Sequence, residues 1–314
     1  MGARFVRLQD WQRDPPLAVL STAGKVWLNE PMLEDQPSRT AHRVALRRAA
    51  HQLWDNPRVL DDPIALKIIP AEASAELAGS RPSGSAPAHF LRAFMVARSR
   101  FAEDHLLEAV ARDVKQYVVL GAGLDTFAYR NPFQDLHVFE VDYPATQAWK
   151  RERLQLGKIP VPSNLTFAPV DFEKDTLHAG LEKAGFNASK PAFFSWLGVT
   201  PYLAEATVLA TLRWIAQYPE NGVAFDYTVP RSSLSFFQRL AFDALSARVA
   251  AAGEPFIGFF DPSVLSLELQ QMGFKKIEDL GMDEINALYF AERTDGLRMG
   301  GGLARLMCAT RLGL

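Results

Sequence analysis

From residue 116 onward the chain alternates between short apolar runs and longer stretches whose apolar residues recur every three or four positions. The runs QYVVLGAG (116–123), LHVFEVD (136–142), LTFAPVD (165–171), PAFFSWLGV (191–199) and GVAFDY (222–227) have the length and the β-branched or aromatic content of buried strands. Helices are expected from Pro144, whose ring suits a first turn, around 175–185, and over Glu205–Gln217. Buried strands separated by helices of this length predict βαβ units and a parallel sheet. PSVLSLELQQMGFKKIEDL reads as helix then strand, and LARLMCATRL (303–312) as a last strand.

Two regions break the alternation. Before residue 115, TAHRVALRRAAHQLW places Val44, Ala45, Ala49, Leu53 and Trp54 mostly on one helical face, with Thr40 positioned to cap it. Asp61-Asp62-Pro63 reads as a stop and restart, GSRPSGSAP (79–87) as a flexible joint, and 88–113 as a second helical stretch. Residues 1–40 are polar and proline-rich, an irregular arm. Residues 232–252 predict a long amphipathic helix presenting Leu234, Phe237, Leu240, Ala241, Ala244 and Leu245 on one face. The expected organisation is an N-terminal arm and helical cap segment (1–114) and an α/β core (115–314) carrying a helical insertion near 230–262.

Composition narrows the class. The 314 residues are 48% hydrophobic and 22% charged, which excludes a disordered chain, a collagen-like chain and a disulfide-stapled miniprotein. Thirty-four Lys and Arg against 36 Asp and Glu give a net charge of −2, so nothing electrostatic argues for nucleic acid. No apolar run approaches the roughly 18 residues of a membrane span, and the first residues carry no apolar leader segment. The single cysteine, Cys308, allows neither an internal disulfide nor a CxxC metal site, which suits the cytoplasm. The six histidines form no HxxH or HExxH pair, so no metal is expected.

Candidate chemistry gathers at the strand ends. In VVLGAGLDT (118–126), Gly121 and Gly123 follow a buried strand and allow a ligand close to the backbone; amides at a following helix start favour polar or anionic groups. Asp142 ends the next strand, 21 residues after Gly121, the spacing of a carboxylate that accepts from a ribose diol. Thr126 stands where a GxGxxG motif has its third glycine, which weakens a pyrophosphate-binding reading. Asp171-Phe172 ends the third strand; the acid could accept from an adenine amino group beside an aromatic wall, or could simply cap a helix. Three consecutive strands thus end in polar candidates on one carboxyl edge, where open α/β sheets bind ligands. An NAD(P)-dependent oxidoreductase shares the glycine turn and acid, and a cofactor-binding regulatory protein without catalysis is a third reading.

The ordered set ARSRF around Arg98, VVLGAGLDT, FEVDYP (139–144), PVDFEK (169–174) and the segment before Pro201-Tyr202-Leu203 resembles the leucine carboxyl methyltransferase-like proteins. These belong to the class I S-adenosylmethionine-dependent methyltransferases. The opening TAHRVALRRAAHQLWDNPRVLDDPIA is similar to the N-terminal helices of bacterial members. The resemblance implies a Rossmann-like, doubly wound, seven-stranded α/β sheet, mostly parallel with an antiparallel last strand. It also implies S-adenosyl-L-methionine as cofactor and a small-molecule carboxylate or hydroxyl as methyl acceptor. Carried across, Arg98 pairs with the methionine carboxylate, Gly121 and Gly123 face the amino-acid part, and Asp125 assists at that turn. Asp142 holds the ribose, and Asp171 with Phe172 holds the adenine. Where the family usually has a glutamate before glycine, this chain has Leu197-Gly198. No catalytic base and no oligomeric state can be assigned from the residues.

Overall fold

The computed structural model describes residues 39–79, 86–171, 175–218, 220–251 and 255–311. Residues 1–38 of the expected arm (1–40) and 80–85 of the expected joint (79–87) lie outside the described residues; Arg39 and Thr40 are helical.

Four helices come first: α1 (Arg39–Trp54), α2 (Ala65–Ile68), α3 (Ala71–Gly79) and α4 (Ala86–Val110). Then follow β1 (Gln116–Leu120), β2 (His137–Asp142), α5 (Pro144–Leu156), β3 (Leu165–Pro169), α6 (Leu177–Lys183), β4 (Ala192–Trp196), α7 (Glu205–Ala216) and β5 (Gly222–Thr228). The chain continues through α8 (Phe236–Ala250), α9 (Pro262–Gln271), β6 (Lys276–Leu280), α10 (Met282–Tyr289) and β7 (Ala304–Thr310). All seven strands join one sheet in the order β3-β2-β1-β4-β5-β7-β6. The first five run parallel, and β7 inserts antiparallel between β5 and β6. From β1 the chain builds outward through β2 and β3 on one side, then returns to build β4 and β5 on the other. That reversal opens a crevice at the carboxyl ends of β1 and β4.

Period-two alternation sorts the strand residues into two layers. Tyr117 and Val119 of β1 pack with Ala93, Ala97, Phe101 and Leu106 of α4. Val118 and Leu120 face the opposite way, toward Val208, Leu212 and Ile215 of α7. A third cluster joins Ala45 and Ala49 of α1 to Leu124 beside the β1 turn and Leu154 of α5. The stretch 88–113, expected in the cap segment, is thus the covering layer of one sheet face.

Three local readings are corrected. Helix α1 already includes Arg39, so Thr40 sits in its first turn and does not precede it. No α-helix follows the glycine turn; β1 leads into a single 3-10 turn, Phe127–Tyr129. Helix α8 buries a different face from the one expected. Phe242 points inward and meets Phe259 edge-on at 5.9 Å, while Phe237 is 80% exposed and Leu240 55%. Phe236 and Phe237 meet edge to face at 5.6 Å on the surface. Helical periodicity alone does not decide which of two apolar stripes meets the core. The structure adds two short helices, α3 and α10, to the expected set.

Candidate functional site

A cavity of about 410 Å³ opens at the carboxyl edge of the sheet, at the crevice described above. The strand order fixes the sequence of groups along it. Arg98 lies at the β5 end, Gly198 follows β4, Gly121 and Gly123 follow β1, Asp142 closes β2, and Leu177 starts the helix after β3. An extended ligand therefore meets a cation at one end and a carboxylate beyond the middle.

Arg98 projects from α4 and is 6% exposed. Its Nη1 donates to Asp226 Oδ2 at 3.1 Å. Its guanidinium lies flat on Gly198: a Cβ there would fall 2.7 Å from Nη2 and 2.8 Å from Nη1. Gly198 also has φ of +73°, so an L side chain at this position is both strained and obstructed. Arg47, one turn after Arg43 on α1, adds a second positive charge near Arg98; burial and then Arg43 and Arg98 hold its pKa below the usual arginine value.

The turn after β1 has its own geometric demands. Gly121 sits at φ +66°, and a Cβ would come within 2.4 Å of Val199 Cγ2. The amides of Gly121 and Ala122 both donate to the Val141 carbonyl. The Gly123 amide donates to Asp142 Oδ2 at 2.5 Å, and the Tyr143 amide to Oδ1 at 2.7 Å. Each carboxylate oxygen keeps a second lone pair that can accept from a ligand hydroxyl. Burial pushes the Asp142 carboxyl above its usual range, against the pull of these two amides. Asp125 lines the cavity, while its Oδ1 accepts from the Phe127 amide at 2.8 Å and so starts the 3-10 turn.

Behind this turn stands a buried lock that sequence reasoning missed. Arg48 of α1 donates to Asp62 and to the Thr126 hydroxyl, and Thr126 Oγ1 donates to Asp62 Oδ2 at 2.7 Å. Asp62 and Thr126 are 0% exposed. Burial raises the Asp62 pKa, but Arg48 and Arg130 together bring it below the usual carboxylate value. The residue in place of the third glycine is thus used for its hydroxyl.

Arg98, Gly121, Gly123, Asp125 and Asp142 all line the one cavity. Asp171 is half-buried just beyond β3, on the same edge, but is not among the lining residues. Phe172 lies outside the described residues. Tyr202 and Leu197 are lining residues, whereas Asp226 is 2% exposed and sits behind Arg98. Asp142→Ala is expected to weaken S-adenosylhomocysteine binding by roughly 1–3 kcal/mol, the scale of a lost charged hydrogen-bond partner. Calorimetric titration checks this; an unchanged affinity in a folded variant removes the ribose role.

Comparison with known proteins places the chain. The leucine carboxyl methyltransferase family profile matches residues 41–216. A candidate S-adenosyl-L-methionine-dependent methyltransferase of Bacillus subtilis, YktD, is 30% identical over 291 residues, covering 85% of this chain and 95% of its own. A candidate enzyme of the same description from Mycobacterium tuberculosis, Rv3767c, is 30% identical over 274 residues, covering 81% and 78%. Among solved structures, a candidate methyltransferase from Thermobifida fusca shares the fold, with a TM-score of 0.52 at 17% identity over 89% of this chain and 97% of that one. The chain belongs to the leucine carboxyl methyltransferase family and is an S-adenosyl-L-methionine-dependent methyltransferase.

Proposed function

We propose that this methyltransferase esterifies the carboxylate of a small, largely apolar acid. The observation that carries the reading is the cavity lining. Among the described residues it contains no histidine, lysine, glutamate or cysteine. Asp142 is taken up by the ribose diol of the cofactor in this reading, and Asp125 accepts one amide and lies against Arg48. Tyr143 and Tyr202 carry phenols, which are poor bases near neutral pH. A hydroxyl acceptor needs a base within reach; a carboxylate arrives already anionic. The remaining wall is mainly apolar, with Val44, Leu177, Val199 and Leu203.

The donor set fits S-adenosyl-L-methionine. Arg98 suits its carboxylate as a planar fork, Asp142 suits its ribose diol, and the apolar wall at Leu177 suits the adenine. Asp171 and Phe172 remain adenine candidates by resemblance alone. When bound, the cofactor supplies a methyl group already activated on a sulfonium. The chain's own contribution is to hold the two reactants in line and to exclude water, a contribution that reaches several powers of ten in rate. A catalytic side chain is not required for a carboxylate acceptor.

A methyl-transfer screen with mass-spectrometric detection, run over paired acids, alcohols and phenols of equal size, tests the reading. Acids are expected to give alkali-labile methyl esters at a rate nearly flat between pH 6 and 9. Transfer only to alcohols or phenols, rising with pH, would overturn it.

A further inference from the structure

Asp226 ends up behind the cavity with all its acceptor atoms committed. Oδ2 takes Arg98 Nη1 at 3.1 Å, Oδ1 takes the Gly198 amide at 2.5 Å, and the main-chain carbonyl takes the Thr200 hydroxyl. Asp226 is 2% exposed and Thr200 0%. Gly198 and Thr200 belong to the segment that leads to Tyr202 and Leu203, which line the cavity. The same segment is fastened from outside, where the amides of Ile257 and Gly258 donate to the Pro201 carbonyl at 2.8 and 3.0 Å. One buried residue therefore holds both the cation at the end of the cavity and the start of a cavity wall.

A guanidinium carries five N–H donors, and the Asp226 bond uses one edge of it. The flat contact with Gly198 fixes its plane. A long side chain that must be immobilised on binding lowers affinity, and one already held does not. Buried ion pairs are weak sources of stability, so the pair invites an explanation from the site it supports.

We propose that Asp226 is a positioning residue: it fixes Arg98 before the cofactor arrives and thereby sets the preference for ligands that carry a carboxylate. The inference rests on the reading of Arg98 as the group that meets the methionine carboxylate.

The test compares S-adenosylhomocysteine with its decarboxylated analogue, each titrated calorimetrically into the full chain. The quantity read is the ratio of the two dissociation constants. Asp226→Asn keeps the side-chain shape and removes the charge; it is expected to reduce the preference for the carboxylate by about tenfold, a scale set by a lost charge-assisted contact. Asp226→Ser, which leaves a short hydroxyl that cannot hold the guanidinium, is expected to reduce the same ratio and decides the matter if the first variant does not fold. In an Arg98→Ala background, Asp226→Asn should change the ratio no further. An unchanged or increased ratio in Asp226→Asn, an equal loss for both ligands, or a further fall in the Arg98→Ala background would each overturn the proposal. If Arg98→Ala itself leaves the ratio unchanged, the assignment of Arg98 fails first, and the two failures are told apart.

Discussion

Arg98→Ala is expected to weaken S-adenosylhomocysteine by roughly 10–150-fold, the equivalent of one or more charged hydrogen bonds, while the decarboxylated analogue keeps its affinity. It is also expected to destabilise the ligand-free protein by about 3–5 kcal/mol. The second effect has a separate cause. Asp226 is 2% exposed, and removing its cation leaves a buried carboxylate with only the Gly198 amide on its side chain. Adding Asp226→Asn to Arg98→Ala should therefore recover part of the stability and none of the affinity. Urea unfolding reads the first quantity and calorimetry the second. A variant as stable as the parent, or one that loses both ligands equally, contradicts this assignment.

Lys150→Met is expected to cost about 3–5 kcal/mol at pH 8. Lys150 of α5 and Glu140 of β2 are each 1% exposed, and Nζ lies 2.6 Å from Oε2. The Tyr129 hydroxyl donates to the same oxygen at 3.3 Å, and Nζ stands 5.4 Å from the Tyr129 ring centre. Methionine fills a similar volume, so the loss reports the charge. Burial pushes the Glu140 carboxyl up to about 7, against the opposing pull of Lys150. Without the lysine it rises further. The unfolded carboxyl titrates near 4.3. A carboxyl raised by folding contributes stability that is full below the unfolded value and lost as pH climbs through the folded one. The deficit of Lys150→Met should thus be smallest near pH 5 and grow toward pH 8. Unfolding curves at pH 5, 6.5 and 8 measure it; a deficit independent of pH rejects the ionised pair. Glu140 and Asp142 lie on the same side of β2, so the variant also probes the support of the ribose candidate.

The first four strands were legible because each is a short apolar run that stops within two residues of a glycine or an acid, and both faces of this part of the sheet are covered. Gly121, Gly123 and Asp142 were legible for the same reason: the chemistry sits where the hydrophobic pattern ends. The resemblance added Arg98, which on its own looks like any arginine on a helix. Arg48 was not legible, since it follows Arg47 in a doublet whose members differ only by 100° of helical rotation. Asp62 looked like punctuation before Pro63. Asp226 was not legible either, since its partners come from α4 and from the segment after β4, 128 and 28 residues away. Long-range ion pairs of this kind leave no periodic trace. The inward face of α8 was misread because Phe242 competes with a longer apolar stripe, of which Leu234 is buried but Phe237 and Leu240 lie at the surface.

The lock formed by Arg48, Asp62 and Thr126 draws its members from a helix, a connecting stretch and a turn that are separated by up to 78 residues. For anyone recombining this enzyme with its relatives, the front helices are not an independent cassette. A chimera with a seam between residues 79 and 116 inherits the turn from one parent and its clasp from the other. Arg48 and Asp62 travel together across such a seam, so a hybrid whose other parent lacks Thr126 leaves the buried pair without its third partner beside its own cofactor turn.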